Sequence, residues 1–183
     1  MRLFVYGLAW LFHSIYGYEG LNLLFRVSPS RYTILILKRY GAAIGDRVRI
    51  LNPMTIHAAK LNSLIFSNLI IGDDVFIGRH SFFDLSDTVN IGNRVTISHM
   101  FSTHTHEDAG KSLLAVDIIK PSYGKVNIGD DAYIGVGVTI LKNVTIGKST
   151  IVAAGSLVKD SFPNGIMVAG VPAVEKKKLK RGF

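Results

Sequence analysis

Three of the six histidines, His99, His104 and His106, fall within eight residues of one another, in a stretch that reads HMFSTHTHEDAGKS from residue 99. An imidazole titrates near neutrality, so it suits removal of a proton from a weakly acidic hydroxyl as that oxygen attacks a carbonyl. The same residues would also suit a metal: His99 and His104 have H-x4-H spacing, His80 lies upstream, and a metal-bound water would then be the nucleophile. Residues two apart along an extended strand share a face, so direction does not separate His104 from His106. Asp84, Glu107 and Asp108 are carboxylates that could orient a ring, and the sequence selects none of them. Cysteine is absent, which removes thiolate nucleophiles, thiolate metal sites and disulfides together.

The element that must position these histidines is legible from a period of six. Ile128-Gly129, Ile134-Gly135, Ile140, Ile146-Gly147, Val152-Ala153 and Val158 recur in phase, preceded by Ile44-Gly45, Ile50, Ile56, then Ile71-Gly72, Ile77-Gly78, Phe83, and Ile91-Gly92, Ile97. Small or β-branched residues such as Val75, Val95, Ala132, Val138 and Val144 follow four positions on. Neither a simple alternating strand nor a 3.6-residue helix produces this spacing. It predicts a mainly β fold, a triangular prism of stacked coils with short parallel strands and an aliphatic column inside. Between Ile97 and Ile128 the repeat breaks, and an excursion loop near 105–125 carries the histidines at its root. An insertion from a regular scaffold is where function tends to sit.

The segments VNIGDDAYIGVGVTILKNVTIGKSTIVAAGSLV (126–158) and VAGVPA (168–173) resemble the hexapeptide-repeat, left-handed β-helix acyltransferases, in the branch of sugar and polysaccharide O-acetyltransferases. The resemblance covers about 44–174. It implies a left-handed parallel β-helix, a homotrimer with active sites between neighbouring prisms, acetyl-CoA as acyl donor and no required metal. The Ser102-Thr103-His104-Thr105-His106-Glu107-Asp108 run matches the family's Thr-rich strand ending in the catalytic histidine. His106 takes that place, with His104 as competitor because the spacing here is about two residues shorter. Tyr133 stands where the family often has Trp beside the acceptor pocket, and Asp84 is assigned to the same acceptor side or to orienting the ring. The Val136 N–H matches the position facing the thioester oxygen, and Ala153-Ala154-Gly155-Ser156 the stretch along which pantetheine lies. Gly170 belongs to the turn at the nucleotide end. Beyond it Lys176 and Lys177, with Lys178, Lys180 and Arg181, are candidates for the cofactor's phosphates, although the basic residue expected directly after Ala173 is missing.

Three segments follow: 1–43 helical, 44–174 the prism, 175–183 a basic tail. In the helical segment, Ser28 as N-cap, Pro29 at the first turn, Lys38 and Arg39 in the last turn and Gly41 beyond it predict a helix. Residues 1–18 are apolar and aromatic, with no small-residue cleavage site after them and His13-Ser14 too early for a span. They fit either a helix lying in a membrane interface or a lid on the first coil. The net charge of +8 is concentrated at the ends: residues 1–40 carry five Lys/Arg against Glu19, residues 175–183 five against Glu175, and 41–174 is neutral. A nucleic-acid binder would carry its basic face on the folded body, so none is expected as partner. The expected partners are a sugar or lipid-linked glycan acceptor, further copies of the chain, and peripheral membrane contact through residues 1–40. The expected location is cytoplasmic, on the inner face of a bacterial cell membrane. Two alternatives use the same fold: a γ-class carbonic-anhydrase-like metalloenzyme on His80, His99 and His104, and an inactive membrane-associated scaffold.

Overall fold

A computed structural model describes residues 1–57 and 64–179. Three helices come first: α1 (Arg2–Tyr16), α2 (Tyr18–Leu24) and α3 (Ser30–Arg39). Five coils follow, each of three short strands. They are β1 (Ala43–Ile44), β2 (Arg49–Ile50) and β3 (Met54–His57); β4 (Leu69–Ile71), β5 (Phe76–Ile77) and β6 (Ser81–Asp84); β7 (Val89–Ile91), β8 (Thr96–Ile97) and β9 (Ser102–Thr103). A hairpin then leaves the prism, with β10 (His106–Glu107), the short α4 (Leu114–Asp117) and β11 (Ser122–Tyr123). The last coils are β12 (Val126–Ile128), β13 (Tyr133–Ile134) and β14 (Thr139–Ile140), then β15 (Thr145–Ile146), β16 (Ile151–Val152) and β17 (Leu157–Val158). β18 (Ile166–Gly170) and β19 (Ala173–Lys178) close the chain.

Every third strand pairs in parallel, giving three faces: β1-β4-β7-β12-β15, β2-β5-β8-β13-β16-β18 with β19 at its edge, and β3-β6-β9-β14-β17. The register keeps the six-residue phase, so Ile50, Ile77, Ile97, Ile134, Val152 and Val168 stack down one face and are all buried. Coils stack at the strand spacing, about 4.8 Å, and this is why glycine follows the aliphatic. A Cβ on Gly135 would lie 2.5 Å from the Ala154 nitrogen of the next coil. The corner beyond these glycines is tied by side chains: Asp73, Asn93 and Asp130 each accept through Oδ1 from the backbone N–H of Asp46, Asp73 and Asn93 respectively. One position further on, Arg47, Asp74, Arg94 and Asp131 adopt positive φ. There Arg47 pairs with Asp74 and Arg94 with Asp131, in a ladder of alternating charge.

Two departures from the sequence reading have clear causes. The repeat does not stop at Ile97: Thr103 fills the next inward slot, pairs with Phe83 and Ile140, and is fully buried. Residues 175–178, expected in a tail, belong to β19, which pairs antiparallel with β18 after the turn at Gly170–Ala173. Lys180 and Arg181 lie outside the described residues.

The helices close the first coil. Leu21, Leu24 and Phe25 join Ile36, Leu37, Ile44, Ile50, Ile56 and Phe66 in one core. α3 begins one residue later than its sequence signals suggest, because the Ser28 hydroxyl donates to Leu24 O at 2.8 Å instead of capping α3. Ser30 Oγ accepts the Ile50 N–H at 2.8 Å, which fixes α3 to β2. α1 buries Val5 and Ala9 but leaves Leu3, Phe4, Trp10, Leu11 and Ile15 exposed. Among the described residues no helix is long and apolar enough to cross a membrane.

Candidate active site

β9 runs straight on through His104 to the hairpin strand β10. The alternation along this stretch turns Thr103 and Thr105 inward and leaves Ser102, His104 and His106 on the outer side. Both histidines line a cavity of about 630 Å³, with Glu107, Asp108, Lys142 and Lys159 among the other residues around it. Lys142 Nζ reaches Glu107 at 3.0 Å and so ties the hairpin root to the coil below.

The two rings are held differently. His104 Nε2 meets Ser102 Oγ at 2.8 Å, and the ring packs on Phe82 with centroids 5.4 Å apart. His106 Nδ1 meets Asp84 Oδ2 at 2.6 Å, with Ser86 Oγ 3.1 Å away. Asp84 sits at the end of β6 and is buried. Its Oδ2 also accepts the backbone N–H groups of Thr105 (2.7 Å) and His106 (3.0 Å), and its Oδ1 accepts the N–H and hydroxyl of Ser86 (3.0 and 2.7 Å). Burial alone would raise this carboxyl; the hydrogen bonds from Ser86, His106 and Thr105 outweigh it and bring it down to about 2. An ionised carboxylate accepts only, so His106 Nδ1 carries the proton in this bond. The lone pair of the neutral ring is then on Nε2.

Of the two roles the sequence offers Asp84, orienting a ring is the one its contacts fit. It has no exposed surface, because the register of β6 against β9 puts its side chain behind the His106 ring. The sequence reading also missed Ser86 and His57. Ser86 lies beyond the end of its strand, and His57, paired in register with Asp84, stacks on His106 from the first coil. Ligand atoms of His57, Asp84 and His106 lie within 4.8 Å of one another, as a metal would need. The acceptor sites of Asp84 are already filled by N–H and O–H donors, so the donor set fits a hydrogen-bonded pair better than an ion. His80, His99 and His104 do not gather within the described residues, and His99 Nδ1 is used in accepting the Arg79 N–H at 2.9 Å.

Residues 125–160 match the family model for the bacterial transferase hexapeptide (six repeats). A galactoside O-acetyltransferase of Lactococcus lactis is 30% identical over 155 residues, which is 79% of this chain and 66% of the relative. The chain belongs to the bacterial transferase hexapeptide family. A tetrahydropyridine-dicarboxylate N-acetyltransferase of Staphylococcus aureus is 46% identical over 70 residues, 38% of this chain and 29% of the relative, so the chain spans less than a third of that protein. A hexapeptide-repeat-containing acetyltransferase of Vibrio cholerae, solved with acetyl-CoA, superposes with a TM-score of 0.76 over 88% of this chain and 84% of its own, at 23% identity. The prism is accordingly the left-handed parallel β-helix of the family.

The remaining family positions of this hexapeptide chain fall elsewhere on the prism. Tyr133 lies on the face formed by β8, β13 and β16, is 46% exposed, and meets Ser98 Oγ at 3.3 Å. Val136, Ala153, Ala154 and Gly155 share the corner between that face and the histidine face, where Gly155 N–H donates to Val136 O at 2.8 Å. The Val136 N–H has no hydrogen-bond partner among the described residues. Ser156 is buried under this corner, donating to Ala153 O at 2.7 Å and accepting the Gly170 N–H at 3.2 Å. Lys176 and Lys177 are exposed on β19. One chain thus brings Asp84, His104 and His106 together and leaves Tyr133 and the small-residue corner on other parts of the surface.

Proposed function

We propose that this chain is an acetyl-CoA-dependent O-acetyltransferase that modifies a sugar hydroxyl, with His106 as general base. The observation that carries the reading is the Asp84–His106 pair at the edge of a cavity on the family's β-helix. Asp84 holds the Nδ1–H tautomer, so Nε2 can take the acceptor's hydroxyl proton as the oxygen attacks the thioester carbonyl. The C–O bond forms, the C–S bond breaks, and the proton held on His106 passes to the departing thiolate. No covalent enzyme intermediate is needed. The unpartnered Val136 N–H suits the oxyanion, and Ala153, Ala154 and Gly155 leave room for a thin pantetheine arm. Lys176 and Lys177, with Gly170 at the preceding turn, are assigned to the nucleotide end.

The separation of Tyr133 and Val136 from His106 within one chain favours a site shared between neighbouring prisms of a homotrimer. A galactoside and a carbohydrate surface polymer represent the acceptor class, because the relative with the longest matched segment here is named for a galactoside. A lipid-linked glycan at the inner face of a bacterial cell membrane would bring acceptor and exposed α1 together. The test is free-thiol release from acetyl-CoA with a panel of galactosides and other glycosides, in wild type and His106→Ala. Acceptor-dependent release that disappears in the variant supports the reading. Release that survives in His106→Ala and fails in His104→Ala would move the base to His104.

A further inference from the structure

Two aromatic rings from distant parts of the chain stack on the His106 imidazole, and a third meets one of them. His57 faces it with centroids 5.4 Å apart and planes 23° from parallel. Tyr123 of β11 lies 6.4 Å away at 25°. Tyr18 of α2 stands edge-on to His57, at 6.4 Å and 86°. His57 is in turn set by the helical segment. Asn22 of α2 donates to Ile56 O and accepts the Ile56 N–H, both at 2.9 Å and both buried, and Glu19 Oε2 accepts from Asn22 at 3.1 Å. On the other side, the His57 carbonyl accepts the Leu85 N–H at 2.8 Å, beside Asp84. The His57 ring makes no hydrogen bond to the described residues, and Tyr18 and His106 pack against it.

We propose that His57 is a positioning residue for His106, a role that rests on reading His106 as the base. With Nδ1 tied to Asp84 and a ring against its plane, the imidazole cannot swing, and Nε2 stays aimed at the cavity. α2, through Asn22 and Tyr18, is the support of this arrangement.

The experiment compares wild type, His57→Ala and His57→Phe by thiol release, with saturating acceptor. His57→Ala should lower kcat by about 10-fold or more, the scale on which base orientation acts, with KM for acetyl-CoA nearly unchanged. His57→Phe restores a ring against the imidazole and should recover most of kcat. An unchanged kcat in both variants would overturn the proposal. So would a loss in His57→Ala that His57→Phe does not recover, or one that raises KM for acetyl-CoA as much as it lowers kcat, since those patterns mark a residue needed only for strand packing. Activity surviving in His106→Ala is a different result and sinks the base assignment itself.

Discussion

At the scale of the residue, the Asp84–His106 pair ties stability and activity to one carboxylate. Its folded-state pKa, about 2, is below the ordinary value of 3.8. A group held below its unfolded value contributes stability that is complete above the unfolded pKa and lost as pH falls through the folded one. The contribution is roughly 2 kcal/mol by linkage, present above about pH 4 and lost progressively toward pH 2. Urea unfolding of wild type and Asp84→Asn should therefore differ by a constant amount near neutrality, and the gap should narrow below pH 4. The same variant reverses a donor and acceptor at His106, disfavouring the Nδ1–H tautomer, and should cost about 10²- to 10⁴-fold in kcat. His104→Ala should cost far less than His106→Ala, because Ser102 and Phe82 engage the His104 ring where Asp84 engages that of His106. Parallel turnover measurements on the two alanine variants check that ranking.

At the scale of the element, the prism was readable wherever its inward slot holds an aliphatic residue. Ile128 to Val158 announce six consecutive strands because a column of Ile and Val has no other use for a six-residue period. Thr103 hid the next one. A threonine reads as polar, yet here it is buried with its hydroxyl unpartnered among the described residues. Thr103→Val keeps the shape and removes an unsatisfied group, so it should raise stability by about 1 kcal/mol, read as a higher urea midpoint at unchanged m-value. Gly135→Ala should do the opposite, since its Cβ would force the coils apart at Ala154. The site shows the same division. His104 and His106 are visible as a cluster in the chain, whereas Asp84, Ser86 and His57 reach His106 only through coil stacking. The interval from one coil to the next varies where the chain departs from the six-residue period, so the sequence does not say which residue will lie over which. The positive φ at Arg47 and Arg94 was hidden for a related reason: the outward corner admits long side chains once an opposite charge waits on the next coil.

At the scale of the molecule, the helical segment has two kinds of surface. Val5 and Ala9 of α1 join the core that closes the first coil, while Leu3, Phe4, Leu11, Ile15 and Trp10 form a contiguous outward stripe. Arg2, Arg26, Arg31, Lys38 and Arg39 belong to the same segment, whose sole acidic residue is Glu19. An apolar stripe on a segment rich in cations is the surface that anionic lipid would favour, through buried area and charge together. Trp10 is the only tryptophan in the chain and is 66% exposed, so it reports on this face without labelling. Vesicles containing anionic phospholipid should shift its emission to the blue and increase its intensity. Raising the salt should weaken the effect, since screening shortens the reach of the arginines and lysines. Leu3→Ser combined with Leu11→Ser should abolish the shift, leaving the melting temperature within a few degrees of wild type because neither side chain is in the core. An emission maximum that vesicles do not move, in wild type as in the variant, would remove the membrane from the picture and leave α1 as a lid on the first coil. If the shift occurs, thiol release with vesicle-borne glycolipid acceptors should exceed that with the same glycans free in solution. The prism would then meet its acceptor at a surface that its helical end already occupies.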